Sequence, residues 1–217
     1  MSDNMPIWQQ AMQDHTHPLH SLIVLIFSDT FEAEAVAQMY SDQQDIALPY
    51  LKQVMLAETL YEETSLATGH APANAAHLAF IWHAIDILPD LLQMLVLRDG
   101  ITPASRIAFL LLAEMPAEAI EPIIHFGEQC TGDDELMIAA LLSTKLGQGK
   151  QECFVFIRSA FEATTDHGRR VLYAQALIDN NLKWASSYLR RIGRKKQYQP
   201  YQDLFKELIA DFKANRR

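Results

Sequence analysis

A short apolar block that contains alanine recurs four times through the middle of this chain. The blocks read Leu-Ala-Phe-Ile at 78–81, Ile-Ala-Phe-Leu at 107–110, Ile-Ala-Ala-Leu at 138–141 and Tyr-Ala-Gln-Ala at 173–176. Their alanines at 79, 108, 139 and 174 are 29, 31 and 35 residues apart. A helical period of roughly 30 to 45 residues is typical of stacked helical pairs, because one pair cannot bury its apolar face alone. The repeat therefore predicts an all-α chain of stacked antiparallel helix pairs.

Prolines punctuate the same region at helix-length intervals, each just ahead of an apolar-periodic stretch. They are Pro72, Pro89, Pro103 and Pro116. Proline suits the first turn of a helix, where its missing N–H would have no partner in any case. Thr102 before Pro103 is a predicted N-cap, and Asp29 with Glu32 forms a predicted capping box. Three glycines are expected to end helices in the left-handed conformation: Gly100, Gly147 and Gly193.

These signals predict helices almost throughout the chain. The expected ranges are 5–14, 18–28, 30–40, 49–63, 73–87, 89–98, 103–114, 117–129, 134–146, 151–163, 167–179, 182–192 and 201–214. Pro49 opens the fourth helix after a polar loop at 41–48, and Pro122 delays or breaks the helix at 117–129. The apolar run at 22–27 is also compatible with a strand, since a short run cannot be assigned by its period alone.

The helix-pair period and the alanine-containing blocks resemble HEAT and armadillo-type repeats over residues 72–194. The resemblance implies an α-α superhelix of four helix pairs, in a single right-handed solenoid-type domain. Residues 1–64 would pack on it as N-terminal helices, and 195–217 would add a basic loop and a C-terminal docking helix. We expect one continuous domain, with 65–73 the best position for an internal break. Proteins of this class are mostly scaffolds that bind other macromolecules on a concave surface, and the class has no catalytic motif.

Composition and charge indicate where the protein is expected to occur and what it could bind. The longest apolar run has six residues, far short of the roughly 20 that cross a bilayer, and no basic segment precedes it, so we expect a soluble cytoplasmic protein of bacterial type. The net charge of −9 is divided unevenly: residues 1–150 carry 5 Lys and Arg against 20 Asp and Glu, whereas 151–217 carry 13 against 7. The acidic part of one copy could dock on the basic part of another, which predicts salt-sensitive head-to-tail association.

The basic segment 183–201 is the predicted binding site. On a helix, Leu182, Ala185, Leu189 and Ile192 form the core stripe, and Ser186, Ser187, Arg190 and Arg194 face the opposite way. A further stripe interleaves aromatic and basic side chains, those of Trp184, Tyr188, Arg191 and Lys195. This combination suits an acidic protein groove or a nucleic acid. The candidate residues are Trp184, Tyr188, Arg190, Arg191, Arg194, Lys195, Lys196, Tyr198 and Tyr201. The alternative is that Trp184 and Tyr188 belong to the core and that the arginines are a solvated face stabilised by the helix dipole.

The remaining signals for chemistry are weak. His15, His17 and His20 are weak candidates for a metal site, because their spacing fits no named motif. Cys130 and Cys153 are expected to be buried thiols, and the chain contains no HExxH, no glycine-rich phosphate loop and no G-x-S-x-G. We therefore expect no cofactor and a non-enzymatic adaptor, scaffold or regulator that binds a protein. The alternatives are a nucleic-acid-binding protein that uses 183–201, and an enzyme with a site in the solenoid groove.

Overall fold

The fold is taken from a computed structural model, which describes residues 5–61, 70–97 and 102–215. These ranges contain thirteen α-helices and no strand, which confirms the predicted all-α class. The helices are α1 (Ile7–Gln13), α2 (His20–Ile26), α3 (Ala33–Met39), α4 (Gln44–Met55), α5 (Ala71–His83), α6 (Leu88–Val96), α7 (Pro103–Ala113), α8 (Ile120–Gly127), α9 (Asp133–Leu142), α10 (Gln151–Ala163), α11 (His167–Asn180), α12 (Leu182–Ile192) and α13 (Gln202–Asn215). Short 3₁₀ segments lie at Glu58–Leu60, Ala117–Ala119 and Lys196–Tyr201.

The helices form two compact units, Met1–Met115 and Pro116–Arg217. The predicted break at 65–73 lies largely outside the described residues, and so does Gly100. No helix in the described part of the chain is both long enough and apolar enough to span a membrane.

Helix α5 organises the first unit, because it packs against α2, α3, α4 and α7. Its buried residues are mostly alanine, and their small side chains let neighbouring helices approach closely. Two polar side chains of α5 bond to the ends of its neighbours. Asn74 donates from Nδ2 to the carbonyl oxygen of Ile26 at 2.8 Å, and Trp82 donates from Nε1 to that of Ala37 at 3.3 Å.

The second unit stacks its helices in chain order. Each of α9, α10, α11 and α12 packs against the next helix, and α9 with α11 and α11 with α13 also pack as next-but-one neighbours. Buried Asn180 joins the last residue of α11 to the loop that follows α9, since its Nδ2 donates to the carbonyl oxygens of Leu142 at 3.1 Å and Gly147 at 2.7 Å. The same loop returns a bond, because the Gly149 N–H donates to the Asn180 carbonyl at 2.9 Å.

The recurring alanines are buried on helices that pack together. Ala79, Ala108, Ala139 and Ala174 are all fully buried. They lie on α5, α7, α9 and α11, and both α5 with α7 and α9 with α11 are packed pairs. The repeated blocks therefore mark helix faces that approach each other closely within each unit.

Of the predictions from local sequence signals, some are confirmed and others are wrong. Thr102 is the N-cap of α7, where it forms a reciprocal capping box with Ser105. The capping box at Asp29 is wrong, because α3 begins after Glu32 without a side-chain cap. The strand alternative at 22–27 is also wrong, since α2 covers residues 20–26. The predicted helix at 117–129 begins with the 3₁₀ segment Ala117–Ala119, and α8 starts only at Ile120. Pro122 therefore lies in the first turn of the α-helix.

The predicted loop at 41–48 is wrong as well. Helix α4 begins at Gln44 and contains Pro49 in its interior, although an interior proline forfeits a backbone hydrogen bond. Ala47 and Leu51 on either side of Pro49 are fully buried, and their burial outweighs that loss.

The predictions at Gly147 and Gly193 are wrong. In the described ranges only Gly132 and Gly149 have positive φ, and Gly193 has a right-handed φ of −57°. A Cβ added at Gly193 would lie 3.2 Å from the carbonyl oxygen of Leu189 in the same helix and in ordinary contact, at 3.6 Å, with Cγ of Gln202.

Candidate functional site

Helix α12 carries most of the predicted site and is defined well by its own sequence. Asn181 caps it, because its side-chain Oδ1 accepts from the Trp184 N–H at 3.1 Å. Ala185, Leu189 and Ile192 are buried as the core stripe predicts, whereas Leu182 in the first turn is half-buried. Ser187 and the basic residues of the helix are exposed, whereas Ser186, predicted to face away from the core, is half-buried and its Oγ is buried.

The aromatic residues of α12 pack on α10. Tyr188 is only 6% exposed, and its hydroxyl donates to Glu162 Oε1 at 2.6 Å. Burial, together with this bond, raises the pKa of Tyr188 far above its ordinary value. Its ring meets Phe161 edge-on at 6.0 Å, and the Trp184 ring meets Phe154 edge-on at 5.5 Å. Tyr188 is therefore a core residue, whereas Trp184 keeps 37% of its surface exposed.

The two tyrosines beyond α12 are also buried. The segment expected to be a basic loop is largely the 3₁₀ segment Lys196–Tyr201, whose Tyr198 and Tyr201 face inward. Tyr198 stacks on Phe161 with ring centroids 5.6 Å apart. The Arg170 guanidinium of α11 lies 5.4 Å from the centre of the Tyr198 ring and 5.3 Å from that of Tyr201. It also donates to the Tyr201 hydroxyl at 3.1 Å and to the carbonyl of Thr164.

The basic residues of the predicted site remain on the surface. Arg190, Arg191, Arg194, Lys195 and Lys196, which we call the basic face, are all exposed. Across the described residues, none of these five side chains forms an ion pair or a hydrogen bond. Arg191 lies with its guanidinium 5.9 Å from the centre of the Tyr188 ring, so a buried aromatic supports it from below. The structure thus separates the predicted site into a buried aromatic layer and an exposed cationic layer.

A cavity of about 350 Å³ lies beside the basic face, between α12 and α13. Its lining comprises Leu189, Arg190, Arg194, Gln202, Phe205 and Lys206. Leu189 and Phe205 are buried, and the other four are exposed. Lys206 pairs with exposed Asp203 at 2.8 Å, an interaction that water weakens strongly. The cavity therefore has a cationic rim above two buried apolar residues. The sequence of α12 alone does not indicate Gln202, Phe205 and Lys206, because they come from the next helix.

An acidic groove lies in the same unit, along α8, α9 and α10, with a volume of about 450 Å³. Its carboxylates are Glu128, Glu135 and Glu152. Glu135 accepts a hydrogen bond from the Tyr173 hydroxyl at 2.8 Å. The apolar side of the groove includes Val155, which is exposed, and Phe156, which is buried.

The histidine group of the first unit does not come together as one set. His15 and His20 face each other with Nδ1 and Nε2 3.0 Å apart, and His20 also contacts the carbonyl of Ala11. His17 instead lies against the Tyr50 hydroxyl at 3.3 Å. In the ranges that the structure describes, no group of three or more His, Cys, Asp and Glu side chains is placed to hold a metal ion.

The cysteines are both free thiols, with Cys153 fully buried and Cys130 half-buried. Burial raises the pKa of the Cys153 thiol to about 12 and also raises that of Cys130. Both are therefore protonated and weakly nucleophilic near neutral pH.

No protein-family model, curated protein or solved structure matches this chain. The fold and the surfaces define it as an all-α protein whose helices pack in chain order. Its second unit carries an exposed cationic face at α12 and an acidic groove along α8 to α10.

Proposed function

We propose that this chain is a non-enzymatic interaction module that binds an acidic protein partner through the basic face. The observation that carries the proposal is the exposure of five cations without a carboxylate partner among the described residues. Arg190 and Arg194 are also one turn apart, where like charges repel each other, although the C-terminal end of α12 offsets part of that cost. An acidic partner would neutralise these charges and make the arrangement favourable.

The buried aromatic layer favours a protein over a nucleic acid. Binding of single strands combines phosphate neutralisation with stacking of bases on aromatic rings. Of the four aromatic residues in segment 183–201, Tyr188, Tyr198 and Tyr201 are buried and already in contact with core residues. Only Trp184 offers part of its ring. The net charge of −9 adds a general repulsion of phosphate, so nucleic acid is the less favoured partner.

We propose further that the helices are arranged as HEAT-like stacked pairs. Packing of each helix against its next and next-but-one neighbours in the second unit supports this proposal. The full burial of the repeated alanines supports it too. In such an arrangement α12 and α13 close the C-terminal end of the stack, which is where terminal repeats carry polar outer faces.

The proposed function is tested by affinity capture from the native cell, using the full chain as bait, with and without nuclease. We expect one defined acidic protein that survives nuclease treatment and dissociates as salt is raised from 0.05 to about 0.5 M, since exposed charge pairs are screened. The double variant Lys195→Glu, Lys196→Glu should weaken capture of that protein by about tenfold or more.

A control bait carries the same change of charge away from the basic face. Lys150→Glu with Lys213→Glu alters two exposed lysines, one ahead of α10 and one near the end of α13. This bait should capture the partner as well as the unchanged chain does. Loss of the partner on nuclease treatment would contradict the proposal in favour of a nucleic acid. Equal loss with both double variants would show that only net charge matters.

A second copy of the chain is a second candidate partner, favoured by the acidic groove. The groove is lined by residues of α8, α9 and α10, whereas the basic face lies on α12 and the segment after it, so the two share no residue. Contact between the groove of one copy and the basic face of another would be heterologous, so it would form rings or open chains. Sedimentation at low salt should show oligomers that dissociate at high salt and in Glu128→Lys with Glu152→Lys. A monomer at both salt concentrations would dismiss this candidate.

A further inference from the structure

The cavity between α12 and α13 has the composition of a site for one kind of chemical group. Its rim contains the guanidinium groups of Arg190 and Arg194 and the ammonium group of Lys206. No carboxylate lines it among the residues that the structure describes there. Guanidinium groups match oxyanions in charge and in planar shape, so the rim favours a carboxylate or a related anion.

The apolar surface of the cavity adds a second requirement. Leu189 is fully buried and Phe205 is 2% exposed, so the apolar surface that a ligand can reach is mainly the aliphatic stems of Arg190, Arg194 and Lys206. A fully hydrated anion would lose water there without gaining an apolar contact, whereas a ligand with an apolar part gains from leaving water. A volume of about 350 Å³ is enough for two adjacent side chains of a peptide and lies at the small end of ligand sites.

The two helices that border the cavity are joined by a short connection. Gly193, at the end of α12, lies next to Gln202, at the start of α13, since an added Cβ would be in ordinary contact with Cγ of Gln202 at 3.6 Å. Tyr198 and Tyr201 anchor the short connection between the two helices in the core. The cationic rim therefore lies on two helices whose separation is fixed, which reduces the entropy lost on binding.

We infer that this cavity is a recognition subsite for an acidic residue next to an apolar one in the partner, with the carboxylate between Arg190, Arg194 and Lys206 and the apolar side chain against the aliphatic stems of the same three residues. The inference rests on the proposed function, because it names the part of an acidic partner that makes the specific contact. The rest of the basic face then supplies long-range attraction, which accelerates association more than it discriminates between partners.

The test titrates the full chain with three capped dipeptides. Binding is followed by NMR through the backbone amide signals of Gly193, Gln202 and Lys206 and the side-chain amide signal of Gln202. N-acetyl-Leu-Glu-amide should shift these signals with a dissociation constant of about 1 to 10 mM, as expected for so small a ligand. N-acetyl-Leu-Gln-amide, which lacks the charge, should bind at least about tenfold more weakly. N-acetyl-Ala-Glu-amide, which lacks most of the apolar group, should bind about fivefold more weakly.

Two variants separate the subsite from the general charge. Arg194→Gln should weaken binding of the Leu-Glu dipeptide about fivefold or more, since it removes a rim cation. Arg191→Gln, on the same helix but outside the cavity, should change it less than twofold. Both side chains are exposed, so neither change removes a core contact.

Several outcomes would overturn the inference. These are equal binding of the Leu-Glu and Leu-Gln dipeptides, tighter binding of inorganic phosphate than of the Leu-Glu dipeptide, equal effects of the two arginine variants, and no shift of the three signals at 50 mM dipeptide.

Failure of the proposed function can be distinguished from failure of the subsite. A captured acidic protein that depends on Lys195 and Lys196 but not on Arg194 would keep the proposed function and refute the subsite. A dipeptide that binds as expected, without any acidic partner in the cell, would do the reverse.

Discussion

Asn180 is expected to be among the most sensitive positions of the second unit, and the cost of changing it can be worked from its bonds. Its side chain is buried and donates two hydrogen bonds, to the carbonyls of Leu142 and Gly147. Each such bond contributes about 1 kcal/mol net. Asn180→Ala removes both and leaves a small cavity, so we expect a loss of about 2–4 kcal/mol. For a unit of this size, that loss lowers the melting temperature by about 4–8 °C per kcal/mol.

Asn180→Asp is the sharper variant, because it keeps the shape of the side chain and replaces its donor with an acceptor. A buried carboxylate would then face two carbonyl oxygens, and we expect a loss of about 3–5 kcal/mol, larger than that of the alanine variant. Trp184 is the single tryptophan of residues 116–217, so labelling with 5-fluorotryptophan gives one ¹⁹F signal for this unit in a urea titration. An Asn180→Asp chain that unfolds at the same urea concentration as the unchanged chain would refute the reasoning.

Two further predictions concern the packing of the second unit and its response to alkali. Gly147→Ala would bring a Cβ into the carbonyl oxygen of Leu142, so urea midpoints should show a loss of about 3 kcal/mol, whereas Gly168→Ala on the exposed first turn of α11 should lose nothing. The raised pKa values of Cys153 and Tyr188 mean that unfolding releases their protons above pH about 9. The free energy of unfolding should therefore be constant below pH 9 and should fall as the pH rises towards 12, by up to about 1.4 kcal/mol per pH unit for each group. The variant Cys153→Ala should show a smaller fall. A free energy of unfolding that is independent of pH between 8 and 10.5 would contradict this prediction.

The boundaries of α10, α11 and α12 could be predicted closely because they depend on local chemistry, whereas α9 ends at Leu142 rather than at 146. Helices α10 and α12 match their predicted ranges, and α11 extends one residue beyond its own. Caps act within a few residues, as Asp166 shows by accepting from the Arg169 N–H at 2.7 Å. Helix α4 could not be predicted in this way. Its start depends on burial of Ala47 and Leu51 against other helices, and that burial outweighs the local cost of Pro49.

The exposed cations of the candidate site could also be predicted, because the helical period alone separates them from Ala185 and Ile192. The burial of Tyr198 and Tyr201 could not. Their burial requires Arg170 and Phe161, which lie at least 28 residues upstream and reach them only when α10, α11 and the 3₁₀ segment pack together. A segment rich in basic and aromatic residues is compatible with a binding surface and with a core edge, and only the tertiary neighbours distinguish the two.

Those neighbours also decide which side of α12 can recognise a partner. Its sequence presents two stripes beside the core, one with Tyr188 and Arg191 and one with Arg190 and Arg194. Helix α10 covers only the aromatic part of the first stripe, because Phe154 packs on Trp184 and Phe161 on Tyr188, whereas Arg191 stays exposed. Helix α13 borders the second stripe without filling the space, which leaves a cavity beneath two arginines. The aromatic residues of the first stripe are therefore used for packing, and the second stripe retains room for a ligand.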